Sequence, residues 1–266
     1  MNYQELCLQV AALSKEAGSF IRKERENFDV SLVTDKGVHM LVSYVDVNAE
    51  KILVEGLTKL LPGSGFITEE NTIDKHHPEF TWIIDPLDGT TNFIHGLPVF
   101  SVSIALLQNN ETVIGVVYEV MKDECFYAWK NSDAFLNGEK INVSKVPTLH
   151  QSLLATGFPY YDFGKMDEYL ALLRDFMKIT HGLRRLGSAA VDLAYVACGR
   201  FDGFFEYGLQ AWDVAGGAFI LQRAGGKVTD FNGGDNYLFG NEMVASSPAI
   251  FNEFLSTIQN HFKPNA

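Results

Sequence analysis

Three groups of acidic residues stand where an ion-dependent reaction could use them. Glu69-Glu70 follows the short apolar run Phe66-Ile67. Asp85-Pro86-Leu87-Asp88-Gly89-Thr90-Thr91-Asn92 closes the β-rich run Thr81-Trp82-Ile83-Ile84. Trp212-Asp213-Val214-Ala215-Gly216-Gly217 opens a helical pattern. Carboxylates at strand ends and helix starts line the crevices in which α/β proteins bind ligands.

The octapeptide combines two chemistries. Pro86 fixes its own φ and biases Asp85 towards an extended conformation. The carbonyl of Leu87 lies between the two acids and can point the way they do, so Asp85 and Asp88 can face one pocket. Gly89 lets backbone approach a ligand closely, and the N–H groups and hydroxyls of Thr90 and Thr91 open the next turn as an anion site. Hard oxygen ligands for a cation thus sit beside donors for a phosphate. Mg²⁺ suits the set, because it takes few carboxylates, keeps waters and shares phosphate oxygens. A lone D-x-x-D near a turn is most often capping and solvation. Here two further acidic groups share its setting, and no basic residue close in sequence pairs them.

The elements that must position these groups are legible in outline. Leu6, Val10, Leu13, Ala17 and Ile21 draw one helical stripe, closed by the charged run 22–26. Lys36-Gly37 reads as a loop. A second helix follows Asp46 and ends at Leu61-Pro62-Gly63. Strands are predicted at 81–84, ending in Asp85-Pro86, at 99–107, 112–118 and 124–129. Asn109-Asn110 and Asn137-Gly138 are the turn signals. The second half predicts strands at 152–157 and 200–206. Its helices are expected at 165–179, at 188–197 with Ser188 as N-cap, and at 213–224. The expected organisation is one unit, 1–266. An N-terminal α+β half (about 1–147) packs closely on a C-terminal α/β half (about 148–266).

Composition excludes several classes. A formal charge of -12 argues against a nucleic-acid surface, which needs a basic stripe. Cys7, Cys125 and Cys198 are odd in number and form no C-x-x-C pair, which fits a reducing cytoplasm rather than a disulfide framework. No segment reads as a signal peptide or a membrane span. None of the cysteines has Arg six positions later, so a cysteine-phosphatase loop is absent. Asp85 and Asp88 are one residue too far apart for an aspartyl-phosphate motif. His76-His77 reads as a solvated loop, His95 as structural or as pocket rim, and Arg184-Arg185 as a phosphate, interface or surface pair.

The segment from Trp82 to Phe93 resembles the first signature of the inositol monophosphatase family, and Trp212 to Gly217 resembles its second. The resemblance spans nearly the whole chain, through Lys36-Gly37, Val45-Asp46, Glu69-Glu70, Gly187-Ser188-Ala189-Ala190 and Glu206, and extends to the family's bacterial extragenic-suppressor type. It implies a layered α/β fold, an α-β-α-β-α sandwich, in a cytoplasmic homodimer. Glu69, Asp85 and the Leu87 carbonyl would hold a first Mg²⁺, and Asp85, Asp88 and Asp213 a second. A third, weaker ion would sit near Glu69. Thr90 with Glu69 would activate the attacking water, and Asp46 would support them. Gly89, Thr90 and Thr91 would grip the phosphate, while Asp88, Ala189 and Glu206 would meet substrate hydroxyls. Lys36 would lie on a loop near the metals. Thr68 and Ser43 depart from the family's frequent Gly and Thr without removing a ligand.

The substrate implied is myo-inositol 1-phosphate or a similar polyol or sugar phosphate, with sensitivity to lithium. Fructose 1,6-bisphosphatase, 3'-phosphonucleotide, histidinol-phosphate and NADP phosphatase activities share the same carboxylates. A mainly non-catalytic partnership with the transcription or ribosome-assembly machinery is the alternative of another class. Such a partner would have no need of Glu69, Asp85, Asp88, Thr90 and Asp213 together.

Overall fold

The computed structural model describes residues 1–28, 34–35, 41–73, 77, 79–159 and 163–262. Helix α1 (Tyr3–Glu26) buries Leu6, Val10, Ala17 and Ile21. It runs through the charged stretch expected to end it, since Lys, Arg and Glu are good helix formers. A two-residue antiparallel pair, β1 (Thr34–Asp35) with β2 (Leu41–Val42), precedes α2 (Tyr44–Leu60). That helix does not follow Asp46 but contains it. Ser43 is the N-cap and Asp46 closes a capping box with it.

The first large sheet is built from β3 (Gly65–Thr68), β4 (Phe80–Asp88), β5 (Ser101–Gln108), β6 (Glu111–Glu119), β7 (Glu124–Trp129), β8 (Ala134–Leu136) and β9 (Glu139–Ile141), in that spatial order. The short α3 (Thr90–His95) lies between β4 and β5. Only β3 and β4 run parallel; the remaining neighbours are antiparallel. Asn109 and Asn110 both adopt positive φ (51° and 66°) in the two-residue turn between β5 and β6, as the twist of a tight hairpin requires.

The second sheet comprises β10 (Leu153–Thr156), β11 (Gly182–Arg184), β12 (Gly203–Tyr207), β13 (Lys227–Thr229) and β14 (Glu242–Ser246), ordered β11-β10-β12-β14-β13. Helices α4 (Met166–Ile179), α5 (Ala189–Ala197), α6 (Ala211–Arg223) and α7 (Phe251–His261) connect or follow these strands. The strand expected over 200–206 begins only at Gly203, because Gly199 turns the chain at φ 76° and the Asp202 carboxylate caps β10 at the Leu153 N–H (2.6 Å).

Strand side chains alternate between faces, and the layers follow from that alternation. Trp82, Ile84, Ile104 and Val116 join the core under α1 and α2, whereas Ile83 and Ala105 turn to the start of α6 and Val117 to the helix layer on that side. Phe204 faces α5 and α6, and its neighbour Phe205 faces α4 and α7. The stack is therefore α1/α2, seven-stranded sheet, α5/α6, five-stranded sheet, α4/α7. Among the described residues no helix is long and apolar enough to cross a membrane.

Candidate active site

Two acids three residues apart on a regular strand would point to opposite faces. The strand β4 does not stop at Pro86 as expected but continues to Asp88, and it is not regular. Asp85 pairs with Ser103 and Asp88 with Ser101, so β4 carries one residue more than β5 across this stretch. This bulge returns Asp88 to the face of Asp85. Pro86 has no N–H to lose there. Asp85 is buried and accepts a hydrogen bond from the Leu87 N–H (2.9 Å). Asp88 accepts from the Ser188 hydroxyl (2.6 Å) and the Ala190 N–H (2.7 Å), which ties it to the start of α5.

The other two acids reach the same place from different elements. Asp213 stands in the first turn of α6, not at its first residue, and accepts from the Gln210 N–H (2.7 Å). Glu69 follows β3, the parallel neighbour of β4, and its carboxyl is hydrogen-bonded to that of Asp85. Burial is the main force raising all four acids. Like charge adds to it: Asp213, Asp46 and Glu70 act on Glu69, and Glu69, Asp88 and Asp213 act on Asp85, holding both well above the usual carboxylate range. Asp213 is pushed up to about 7, by burial and then by Asp88. Burial pushes Asp88 up to about 6, against the pull of Ser188, the Ala190 and Ala189 N–H groups and Arg185.

Mutually repelling oxygen donors in one half-buried place are what a hard divalent cation would neutralise. Among the described residues no three such side chains already close on a single point. Mg²⁺ is compatible with that, since it is held by one or two carboxylates with carbonyl, water and phosphate oxygens rather than by an all-protein cage. The donor set therefore fits the ion.

Beside these acids, the Thr90 hydroxyl donates to Asp46 Oδ1 (2.8 Å) and lies 3.0 Å from the Leu87 carbonyl. Asp46 is fully buried, and its Oδ2 accepts from the Ser43 N–H and hydroxyl (2.8 and 2.6 Å). The residue that closes the capping box of α2 is thus also the one that orients Thr90. Gly89 has φ 99°, and a Cβ there would come within 3.1 Å of the carbonyls of Val99 and Gly187. Thr91 is exposed at the start of α3. Lys36, Gly37 and His76 lie outside the described residues. His95 ends α3 and is exposed.

Across the site, Glu206 on β12 is buried with its carboxylate against the bare Cα of Gly157. Burial, Asp213 and Asp88 hold it well above its ordinary range, opposed by Arg185. Ala189 opens α5, beside Asp88. The sequence yielded no basic partner near the acids, but Arg185 is one. It acts on Asp88, Glu206 and the buried Asp192, with its guanidinium over the Phe158 ring (5.3 Å). Two other contributors are shown by the structure alone: the bond from Ser188, which the sequence offers as a helix cap and as part of the Gly187–Ala190 stretch of the resemblance, to Asp88, and Glu50. Glu50 lies one helical turn after Asp46 and accepts from the Thr68 hydroxyl and the Glu70 and Thr72 N–H groups (2.9, 2.8 and 2.8 Å).

A profile of the inositol monophosphatase family matches residues 2–262, spanning both sheets and every one of these acids. The chain belongs to the inositol monophosphatase family. Its relatives within that family carry two kinds of name. A protein of Neisseria meningitidis serogroup B, 42% identical over 249 residues (93% of this chain, 95% of that one), is named putative Nus factor SuhB. One of Mesorhizobium japonicum, 40% identical over 257 residues (96% of each chain), is named inositol-1-monophosphatase. The solved extragenic suppressor protein suhB of Bartonella henselae is 36% identical, covers 98% of this chain and 100% of its own, and superposes with a TM-score of 0.90. The layered α-β-α-β-α sandwich of inositol monophosphatases is the fold of this chain.

Proposed function

We propose that this member of the inositol monophosphatase family is a Mg²⁺-dependent phosphomonoesterase whose substrate is myo-inositol 1-phosphate or a similar polyol or sugar monophosphate. The observation that carries the reading is the convergence of Glu69, Asp85, Asp88 and Asp213 beside the Thr90–Asp46 pair. Glu69, Asp85 and the Leu87 carbonyl would hold one Mg²⁺, and Asp85, Asp88 and Asp213 another, with a third near Glu69. Bound Mg²⁺ supplies Lewis acidity towards phosphate oxygens and lowers the pKa of a bound water.

The chain's own groups do the rest. Asp46 accepts the hydrogen bond that the Thr90 hydroxyl donates, so the lone pairs of Thr90 are left to accept a hydrogen bond from the attacking water and aim it. Glu69 is the neighbouring carboxylate towards which that water's second proton can turn. The backbone of Gly89, Thr90 and Thr91 offers N–H donors to the phosphate. Asp88, Ala189 and Glu206 form the wall for the rest of the substrate. Glu206 suits neutral substrate hydroxyls, with which its carboxyl can hydrogen-bond, better than a second phosphate. This favours a monophosphate polyol over fructose 1,6-bisphosphate, a 3'-phosphonucleotide or NADP; histidinol phosphate, itself a monophosphate, stays a further alternative. The working form would be a cytoplasmic, lithium-sensitive homodimer with 1–266 acting as one phosphatase unit.

A second reading has its own support: the 42% identical relative is named a putative Nus factor. A partnership with the transcription machinery needs none of the four carboxylates, and both roles can coexist in one chain.

The test is phosphate release from a panel of esters, with Mg²⁺ and with EDTA, by the wild type and by Asp88→Asn. Turnover that requires Mg²⁺ and falls by about 10²-fold or more in the variant is expected. A folded, Mg²⁺-supplied wild type that releases phosphate from no ester would remove the enzymatic reading and leave the partnership.

A further inference from the structure

Asp46 and Glu50 are four residues apart on α2, so they lie one above the other on a single helix face. Both are fully buried. Asp46 holds Thr90, the first residue of α3, two residues past the end of β4. Glu50 holds the segment after β3: Oε1 accepts from Thr68 Oγ1 and the Thr72 N–H, and Oε2 from the Glu70 N–H. Three donors, one on each side of Glu69 in sequence and one beyond, thus converge on one carboxylate. A carboxylate is acceptor-only and can satisfy all three, whereas an amide must turn an NH₂ towards at least one of them. Asn71, inside this loop, adopts φ 53°, a left-handed conformation that needs outside support in a non-glycine residue.

We infer that Glu50 is a positioning residue for the reaction: it fixes the loop of residues 69–72 on α2, and so sets Glu69 at a constant distance from Thr90. One turn of α2 then holds, through Asp46 and Glu50, the two groups that the attacking water needs, although they arrive from different strands. Glu50 acts through Glu69 and touches neither ion nor substrate. The catalytic part of this inference rests on the phosphatase reading; the anchoring of the loop does not.

The experiment compares wild type, Glu50→Gln, Thr68→Val and, as control on the exposed side of the same helix, Glu55→Gln. Three quantities are read: amide hydrogen exchange at Glu70 and Thr72, Mg²⁺ binding by calorimetry, and ester hydrolysis against Mg²⁺ and substrate concentration. In Glu50→Gln the two amides should exchange faster. Mg²⁺ binding and the half-saturating Mg²⁺ should weaken about tenfold, as when a partner behind a metal ligand is removed. The KM for the ester should stay within about twofold. Thr68→Val removes one donor and keeps the branched shape, so it should shift Mg²⁺ binding the same way by about threefold; it carries the test if Glu50→Gln does not fold. Unchanged exchange would overturn the anchoring. Faster exchange with unaltered Mg²⁺ binding and kcat would make Glu50 a merely structural residue and overturn the inference. A wild type that binds Mg²⁺ but hydrolyses no ester, with binding still weakened in Glu50→Gln, would uphold Glu50 and defeat the phosphatase reading instead.

Discussion

Three acids of the site, Asp213, Asp88 and Asp85, each have one oxygen committed to the fold and the rest of their acceptor capacity left for chemistry. Asp213 Oδ2 takes the Gln210 N–H, Asp88 Oδ2 takes Ser188 and Ala190, and Asp85 Oδ1 takes the Leu87 N–H. Thr90 follows the same logic, with its single proton donated in a hydrogen bond to Asp46. Removing that hydroxyl in Thr90→Ala leaves the buried Asp46 Oδ1 without its donor and the water without its guide. A fall in kcat of about 10²-fold, with KM little changed, is the expected outcome in steady-state assays at saturating Mg²⁺. Glu206 should behave in the opposite way. Glu206→Gln keeps shape but weakens acceptance from substrate hydroxyls. Its KM for inositol 1-phosphate should rise about tenfold, a loss of about 1.4 kcal/mol. p-Nitrophenyl phosphate, which lacks those hydroxyls, should be hydrolysed as by the wild type. Equal losses on both esters would mean that Glu206 serves the acids rather than the substrate.

At the scale of elements, the glycines of the second signature do something other than bind. A Cβ on Gly216 would lie 3.0 Å from the Ile104 carbonyl, and one on Gly115 would lie 2.7 Å from the Gly216 carbonyl. Helix α6 therefore rests its backbone directly on β5 and β6, and this contact carries Asp213 in towards Asp85 and Asp88. Gly115→Ala is far from the ligands in sequence, yet it should lift α6 and lower stability by about 1–3 kcal/mol, as overpacking does. It should also weaken Mg²⁺ binding, which thermal melts with and without the ion would reveal together. An unaltered melt would mean that the helix and sheet can part without cost.

The same element explains what sequence could and could not supply. Asp85, Asp88, Thr90 and Asp213 were legible because each signature is local, Glu69 because its acidic pair follows a short apolar run, and the Asn turns because positive φ favours Asn and Gly. The bulge in β4 was not, because it exists only in register with β5. Glu50 was not, nor was the pairing of Arg185 with the acids, because their partners are distant: Glu50 bonds residues 18 to 22 positions away. Strands β11 and β13 are three residues long and defined by pairing alone. The spacing Phe251, Phe254, Ile258 of α7 was readable, but its phenylalanines are weak helix formers and its N-cap, Ile250, offers no side-chain bond.

For the whole molecule, the acidic cluster links folding to pH and to Mg²⁺. The unfolded chain has ordinary carboxyls near 3.8 at Asp88 and Asp213, while the fold raises them to about 6 and about 7. A group raised on folding holds its proton more tightly in the native state, so these two stabilise the metal-free protein below about pH 4. That contribution is lost as pH climbs through 6 and 7. Glu69 and Asp85 act in the same direction. In EDTA, the melting temperature should fall between pH 5 and pH 8, and Asp213→Asn should flatten the fall, since a neutral side chain removes that titration. Mg²⁺ reverses the sign. It binds the ionised acids, so it should raise the melting temperature more at pH 8 than at pH 5.5. Its binding near pH 6 should release protons, so the apparent calorimetric enthalpy there should change with the ionisation enthalpy of the buffer. An EDTA melting curve that rises with pH in the wild type and is unchanged in Asp213→Asn would show that these carboxyls are ionised in the metal-free fold. Neutralisation by a cation would then have no role in holding the site together.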